Sequence, residues 1–295
     1  YTKFQDKDFE KDCLDKFREL ELKQRISHIS NILEKYLPKS YEKSLEIIIN
    51  SLPDLKENWK LDDNFWDFIF APFWEFIARN WCNKKYLEIS LDALEKLTSR
   101  FSWEDAIRYF LNSYEKETFE EILIWSKSDN YHVRRLASEW TRPKLPWCQK
   151  INLDYKKTIK ILDNLYTDKS RYVTRSVANH LNDIWKIDSK LVISTLEKWK
   201  KENISSDLDY IISHSTRNLV KLWDKNTLIF LWYSPNPKIN FKGLEIKNKN
   251  ISIWEKLEFE IKINSKGKQN LIIDYRLYFP NKIWKYLTKV FKIKK

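Results

Sequence analysis

The amino-acid sequence predicts a mostly α-helical protein: an α-solenoid of helical repeats followed by a small β domain. Three observations predict this fold. Apolar residues recur at helical spacing through residues 1–233, one helical segment recurs 40 positions further along the chain, and the apolar spacing changes to every second residue after 241. We therefore expect a helical domain at 1–233, a linker at 234–240 and a β domain at 241–295.

The helical region has the period of amphipathic helices. Between Leu87 and Leu97 the leucines are spaced by three or four residues, which places them on one face of a helix. A capping box, in which a hydroxyl residue is followed three positions later by an acidic one, predicts a helix start at Ser102, Thr118 and Ser206.

The C-terminal region instead has the alternation of β-strands. Leu257–Ile263 and Leu271–Leu277 place apolar residues at every second position or in short β-branched runs. The proline-punctuated segment Ser234–Pro237 separates this region from the last predicted helix and predicts a linker.

A repeat within the helical region predicts its architecture. His132–Glu139 aligns with Tyr172–Asn179 at a shift of 40 residues, and each copy follows an acidic residue, Asp129 or Asp168. Two-helix repeats of about this length are typical of HEAT-type solenoids, which usually bind their partners on a concave face.

The composition favours a polyanionic partner. The chain has 54 Lys and Arg against 42 Asp and Glu, a formal charge of +12, and residues 241–295 alone carry 14 basic against 5 acidic residues. That excess of basic residues is compatible both with an ordinary soluble surface and with a region that binds the phosphates of a nucleic-acid backbone. The 2 glycines argue against Gly-rich nucleotide-binding loops, which need close backbone approach.

The sequence predicts no metal site, no cofactor and no membrane span. Its 3 cysteines and 4 histidines show no metal-ligand spacing, and the widely spaced cysteines suggest a reducing compartment. The longest apolar stretch, Phe65–Ala78, contains Asp67, Pro72 and Glu75, and residues 1–6 contain no signal-peptide core. We expect a cytoplasmic protein that begins as a fragment, since Met is absent.

Three predicted helices place arginine and a carboxylate on one face. Within each helix the residues are four or eight positions apart, which puts them on one face. The sets are Glu104 with Arg108, Arg135 with Glu139, and Arg175 with Asn179 and Asp183. One interpretation is a set of salt bridges within each helix. The other is a phosphate-binding groove with inward-facing acids, since Arg135 and Arg175 are repeat-equivalent.

The segment Thr141–Trp147 links the two strongest copies of the repeat. Two prolines stiffen it, and it carries Arg142 and Lys144 ahead of Trp147. An aromatic face beside basic residues could hold a base or a cation, although most of the 14 tryptophans must belong to the core.

Three blocks carry a family resemblance: Phe101–Arg108, His132–Trp147 and Tyr172–Asp183. In order and spacing they resemble the AlkC branch of the HEAT-like-repeat DNA alkylation-repair glycosylases. The resemblance extends more faintly to Ile26–Ile29 and Pro72–Phe76. The β region resembles the immunoglobulin-like domain that some members carry.

The resemblance implies excision of cationic alkylated bases, such as 3-methyladenine and 3-methylcytosine, from double-stranded DNA without base flipping. It implies a monomeric enzyme of base excision repair, in the cytoplasm and on nucleoid DNA. The implied catalytic residues are Glu104, Glu139, Asp183 and Trp147. The implied DNA-binding residues, some of which could instead orient the acids, are Arg135, Arg142, Arg175, Arg108, Lys144 and Asn179. The alternative function is a non-catalytic solenoid that binds DNA structure or a protein.

Two residues depart from the family pattern, and the β region is short. Trp140 stands where members usually have Gly, and Tyr109 stands where they usually have Pro. An indole beside Glu139 predicts a narrower site or a changed lesion preference. Some 55 residues are fewer than the roughly 100 of a full sandwich, so the β domain is either truncated or reduced.

The charge distribution predicts that DNA binding is electrostatic and largely independent of sequence. Deleting residues 241–295 should weaken binding to duplex DNA and flatten the dependence of affinity on salt, as measured by fluorescence anisotropy at several salt concentrations. An unchanged affinity and an unchanged salt slope would remove the β region from the DNA contacts.

Overall fold

The computed structural model describes residues 4–53, 69–100, 104–146, 148–234, 236–252, 254–280 and 286–292. The chain divides into two compact units, Tyr1–Thr216 and Arg217–Lys295. That division lies within a helix, and the domain boundary at 234–240 stays a prediction.

The first unit is helical throughout the part that the structure describes. Its helices are α1 Asp6–Leu14, α2 Leu22–Tyr36, α3 Tyr41–Asn50, α4 Ala71–Asn80, α5 Leu87–Thr98, α6 Ala106–Ser113, α7 Glu115–Trp125, α8 Tyr131–Trp140, α9 Tyr155–Leu165, α10 Arg171–Ile184 and α11 Ser189–Glu202. A further helix, α12 Ser206–Lys221, begins in this unit and ends in the next.

The repeat predicted from the sequence is confirmed by the helix starts. The pair α7 and α8 begins at Glu115 and Tyr131, and the pair α9 and α10 begins 40 residues later, at Tyr155 and Arg171. Helices α8 and α10 pack against each other. Their buried faces carry Val133, Leu136 and Ala137 on α8, and Val173, Val177 and Leu181 on α10. The predicted helical-repeat architecture is therefore correct.

Two of the predicted helix starts need correction, and the third, at Ser102, lies outside the described residues. Thr118 lies inside α7, which begins three residues earlier, where Glu115 and Glu117 favour the first turn of a helix. For α12 the capping hydroxyl belongs to Ser205, one residue before Ser206, and it accepts a hydrogen bond from the Leu208 amide at 3.2 Å.

Trp140 belongs to the core and not to the surface beside Glu139. Its side chain is 0% exposed. It meets Trp74 and Trp125 edge to face, with ring centroids 5.1 and 6.1 Å away. Successive residues of a helix point about 100° apart, so the indole turns inward where Glu139 does not. The expectation that Trp140 narrows the site is therefore wrong.

The second unit holds the predicted small β domain. After α13 Lys225–Phe230 come β1 Ile239–Ile246, β2 Phe259–Ser265, β3 Asp274–Pro280 and β4 Tyr286–Lys292. Strands β1 and β2 form one antiparallel pair, and β3 and β4 form another. A bulge in β1 lies between Phe241 and Gly243, where the glycine has a φ of +151°. Tyr275 stacks on Phe291, its partner across the second pair.

The core position of Trp140 makes it a determinant of stability. Trp140→Gly should lower the free energy of unfolding by about 3–5 kcal/mol, because a large buried side chain is lost. Trp140→Phe, which keeps an aromatic ring and removes a buried N–H without a partner, should cost much less. Urea denaturation followed by circular dichroism measures both. An equal, small loss for the two variants would contradict the core assignment.

Candidate active site

Five charged side chains form a chain of alternating sign across three helical segments. Glu104 precedes α6, Arg135 and Glu139 lie on α8, Arg142 follows α8, and Asp183 lies near the end of α10. Each arginine contacts two carboxylates. The three acids and two arginines sum to a charge of −1 within a chain of +12. We call these five side chains the charged cluster.

Glu139 is a buried acid of the charged cluster, with 6% of its surface exposed. Its Oε1 accepts a hydrogen bond from Arg142 Nη1, and its Oε2 accepts one from Ser176 Oγ at 2.6 Å. Arg135 Nη2 lies 3.9 Å from Oε2. Burial alone would raise the pKa of this carboxyl, but the two arginines and the Ser176 hydroxyl outweigh it and hold the pKa below its ordinary value.

Asp183 has the same exposure, 6%, but the opposite electrostatic outcome. Its Oδ2 accepts from Arg142 Nε at 2.8 Å and lies 2.7 Å from Arg142 Nη2. Burial outweighs this single arginine, so the pKa of Asp183 lies above its ordinary value. Neighbouring carboxyls whose pKa values are pushed apart are typical of sites that use two acids in different roles.

Arg135 joins the third acid to the charged cluster. Its Nη2 donates to Glu104 Oε1 at 2.9 Å, and its guanidinium lies over the Tyr172 ring, 4.9 Å from the centroid. Burial would lower the pKa of Arg135, but Tyr172 and the two glutamates raise it above its ordinary value, so the group stays charged. Arg135 and Arg142 both contact the acids, and the roles expected for them stay predictions.

Arg108 is buried, whereas a DNA-binding residue is expected at the surface. It is 1% exposed, and its Nη1 and Nη2 donate to the main-chain oxygens of Gln149 and Arg142, both at 2.7 Å. Burial lowers its pKa. The guanidinium thus fastens both ends of the 142–149 loop and has no surface to offer a phosphate. The expected DNA contact at Arg108 is corrected to a structural role.

The remaining sequence-predicted residues lie outside the charged cluster. Lys144 and Arg175 are exposed. Asn179 Oδ1 accepts a hydrogen bond from His214 Nε2 at 3.0 Å, which links α10 to α12. Trp147 lies outside the described residues. DNA contacts at Lys144, Arg175 and Asn179 stay predictions.

The sequence reasoning missed a buried polar set behind Glu139. It comprises Ser138, Thr158, Ser176 and His180, all less than one-tenth exposed. His180 lies between the Ser138 carbonyl, 2.9 Å from Nδ1, and the Thr158 hydroxyl, 3.1 Å from Nε2. Burial lowers the pKa of His180 to about 3. The available signal was Ser176, which shares a helix face with Asp183 seven residues later.

The part of the chain that the structure describes holds neither a metal-binding cluster nor a membrane-spanning helix. No three His, Cys, Asp or Glu side chains there are grouped to hold a metal ion. No helix there is long and apolar enough to cross a membrane.

Comparisons with known proteins identify relatives along the whole chain. Residues 240–295 match the family model described as the C-terminal Ig-like domain of the uncharacterised protein YhaZ. The chain is 34% identical to the uncharacterized protein YhaZ of Bacillus subtilis over 284 residues, 95% of this chain and 75% of that protein. It also matches the Pseudomonas fluorescens alkylpurine DNA glycosylase AlkC, solved bound to DNA containing an abasic site analog. The TM-score is 0.82 at 30% identity, and the match covers 100% of this chain and 80% of that one.

The neutral, buried His180 predicts an acid-sensitive fold. The unfolded chain binds a proton near pH 6.5 and the folded chain only near pH 3, so acidification across this window favours unfolding. The free energy of unfolding should fall by up to about 1.4 kcal/mol per pH unit on account of this group. In His180→Gln that contribution is absent, so the stability gap to the parent should narrow as the pH falls. Urea denaturation at several pH values tests this, and parallel curves for the two proteins would contradict it.

Proposed function

Since the chain belongs to the AlkC branch of the HEAT-like-repeat glycosylase family, we propose that it is a DNA glycosylase of alkylation repair. Its proposed reaction is hydrolysis of the N-glycosidic bond of cationic N-alkylated bases in duplex DNA, without base flipping, as a step of base excision repair. The observation that carries the proposal is the pair of buried carboxylates, Glu139 and Asp183, held together by Arg142.

The leaving group decides what such a site must supply. An N3-alkylated adenine or cytosine carries a positive charge and becomes neutral when the bond from C1′ to the base nitrogen breaks with its electron pair on the base. No general acid is needed for that departure. The sugar left behind is oxocarbenium-like, and the enzyme must stabilise that cation and direct a water molecule to C1′.

The two acids of the charged cluster suit these two tasks. Glu139 has a lowered pKa and stays ionised, so it supplies fixed negative charge toward the developing cation. Asp183 has a raised pKa and is the better proton acceptor, so it orients the attacking water and takes its proton. Glu104, the most exposed acid of the three, extends the negative charge along the DNA-facing side.

DNA binding would use the charges around the acids. The exposed Lys144 and Arg175 are proposed phosphate contacts, and the basic region 241–295 is proposed to add further ones. Trp147 is proposed to contact the lesion with its aromatic face. We further propose that the protein acts as a monomer in the cytoplasm.

A non-catalytic solenoid is the competing function, and one observation favours it. Every acid of the charged cluster contacts an arginine, as it would in a purely structural ion-pair network. In that case the acids would contribute to the fold alone, and the protein would bind DNA without releasing base.

Charge-removing variants distinguish the two functions. Glu139→Gln and Asp183→Asn keep shape but remove the charge, and each should slow excision about 10²-fold or more. Binding of duplex DNA should be retained. Single-turnover release of base from a duplex oligonucleotide with one 3-methylcytosine measures the rate, and circular dichroism verifies the folded fraction.

Asp168→Asn is the matched control, because Asp168 is a buried acid whose ion pair, with Arg134 Nε at 2.5 Å, lies outside the charged cluster. It should lose stability and keep the parental rate per folded molecule. Duplex with the neutral lesion 7,8-dihydro-8-oxoguanine should be a poor substrate throughout. Parental excision by both charge-removing variants would make the acids structural.

A further inference from the structure

A chain of hydroxyl groups ends on the carboxylate of Glu139. Ser176 Oγ on α10 lies 2.6 Å from Glu139 Oε2 and 3.0 Å from Ser138 Oγ on α8. Ser138 is 0% exposed and Ser176 is 2% exposed. The two hydroxyls therefore interact within the packed boundary between α8 and α10, out of contact with solvent.

The proton count fixes the direction of these hydrogen bonds. A serine hydroxyl carries one proton, and an ionised carboxylate can only accept. The Ser176 proton therefore points to Glu139 Oε2, and the Ser138 hydroxyl must donate to Ser176. The bond from Ser138 strengthens the bond from Ser176 to the carboxylate, because a hydroxyl that accepts a hydrogen bond becomes a better donor.

His180 on α10 hydrogen-bonds to the backbone of Ser138, the residue before Glu139. The Ser138 carbonyl can only accept, so the Nδ1 of His180, 2.9 Å away, carries a proton. Burial lowers the pKa of His180 to about 3, so the ring is neutral and its Nε2 can only accept. The Thr158 hydroxyl, 3.1 Å from Nε2, shares its one proton between this nitrogen and the Tyr155 carbonyl, 2.7 Å away. The backbone that carries Glu139 is thus fastened to α10 immediately before the glutamate.

The repeat shows that this polar set is not a general feature of the solenoid. At the shift of 40 residues, Ser138 corresponds to Ala178, and Glu139 corresponds to Asn179. Counting the other way, Ser176 corresponds to Leu136, which is fully buried. Packing of two repeats is therefore achieved with apolar residues at the equivalent positions, and the hydroxyls occur where Glu139 is.

We propose that Ser176 is a positioning residue for Glu139, with Ser138 and His180 behind it. It fixes Oε2 while Arg142 fixes Oε1, so the carboxylate cannot rotate away from the direction in which negative charge is needed. This inference rests on the proposed function, because it assigns Ser176 a role through a catalytic Glu139.

The pH dependence of excision gives a readout that a structural role would not move. Loss of the Ser176 donor should raise the pKa of Glu139, since that hydrogen bond favours the ionised form. The other groups that face Glu139 or its arginines, from α8, α10, and the segments beside α6 and α8, are unchanged in such a variant. They are Arg135, Arg142, Glu104, Asp183, Tyr172 and His180.

Ser176→Ala in the full chain is the test, on duplex carrying one 3-methylcytosine. Single-turnover excision should slow about tenfold or more, because a hydrogen bond to a charged group is lost. The lower step of the acid limb of the pH–rate profile, which Glu139 sets at a pH below the step set by Asp183, should move to higher pH. The affinity for duplex DNA should stay parental. Ser176→Thr restores the donor and should restore both rate and profile. Ser138→Ala, one step further back, should produce a smaller change in the same direction.

Ser215→Ala is the matched control. Ser215 is equally buried, but its hydroxyl bonds only to the carbonyls of Ile211 and Ile212 in its own helix. If Glu139→Gln is slow while Ser176→Ala and Ser138→Ala keep the parental rate and profile, the positioning role is overturned and the proposed function stands. If Glu139→Gln itself excises at the parental rate, the proposed function has failed. A Ser176→Ala variant that is slow only through unfolding, with its profile unmoved, also overturns the inference.

Discussion

The candidate site depends on the contacts that Arg142 makes with two carboxylates and with α6. Its guanidinium contacts Glu139 at the end of α8 and Asp183 near the end of α10, so it joins two successive repeats through their acids. Its own main-chain oxygen accepts from the buried Arg108 of α6. The side chain of Arg142 thus holds the two carboxylates together, and its backbone is tied to α6. The same Arg108 also donates to the main-chain oxygen of Gln149.

Burial of the charged cluster is unfavourable for the stability of the fold. Removing three carboxylates and two guanidinium groups from water costs several kcal/mol per ion, and the attraction between them seldom returns more than it costs. At the equivalent positions of the repeat, Glu139 corresponds to Asn179 and Arg142 corresponds to Asn182, so helices of this solenoid also pack without such an ion-pair network. Stability therefore does not account for the charged cluster. The cluster does account for two nearby carboxyls with pKa values displaced in opposite directions, Glu139 by two arginines and Asp183 by burial.

Periodicity in the sequence was sufficient for the helices and for part of the site. The 40-residue repeat placed α8 and α10 side by side, and helical spacing put Arg135 and Glu139 on one face. Periodicity could not predict which side chains meet between helices, because that depends on how helices distant in sequence pack. The contacts that it missed are those from Arg135 to Glu104, from Arg108 to two main-chain carbonyls, and from Ser176 to Glu139. Trp140 is a different case. Successive residues on a helix point about 100° apart, so the sequence alone was enough to predict that Trp140 and Glu139 face different directions.

The charge of the candidate site bears on how a lesion could be selected without a binding pocket. A glycosylase that extrudes a base must meet the cost of unstacking it and can then recognise it by shape. A site of net charge −1 inside a strongly basic protein offers another basis for selection, because phosphates are attracted by the surrounding residues and only a cationic base is attracted by the acids. The same positive charge makes the base a better leaving group. Under the proposed function, binding preference and intrinsic reactivity would therefore select the same lesions, and an unmodified neutral base would be disfavoured on both counts. Under the proposed function, rigid placement of the acids would matter more than the shape of a cavity, and the contacts to both oxygens of Glu139 suit that requirement.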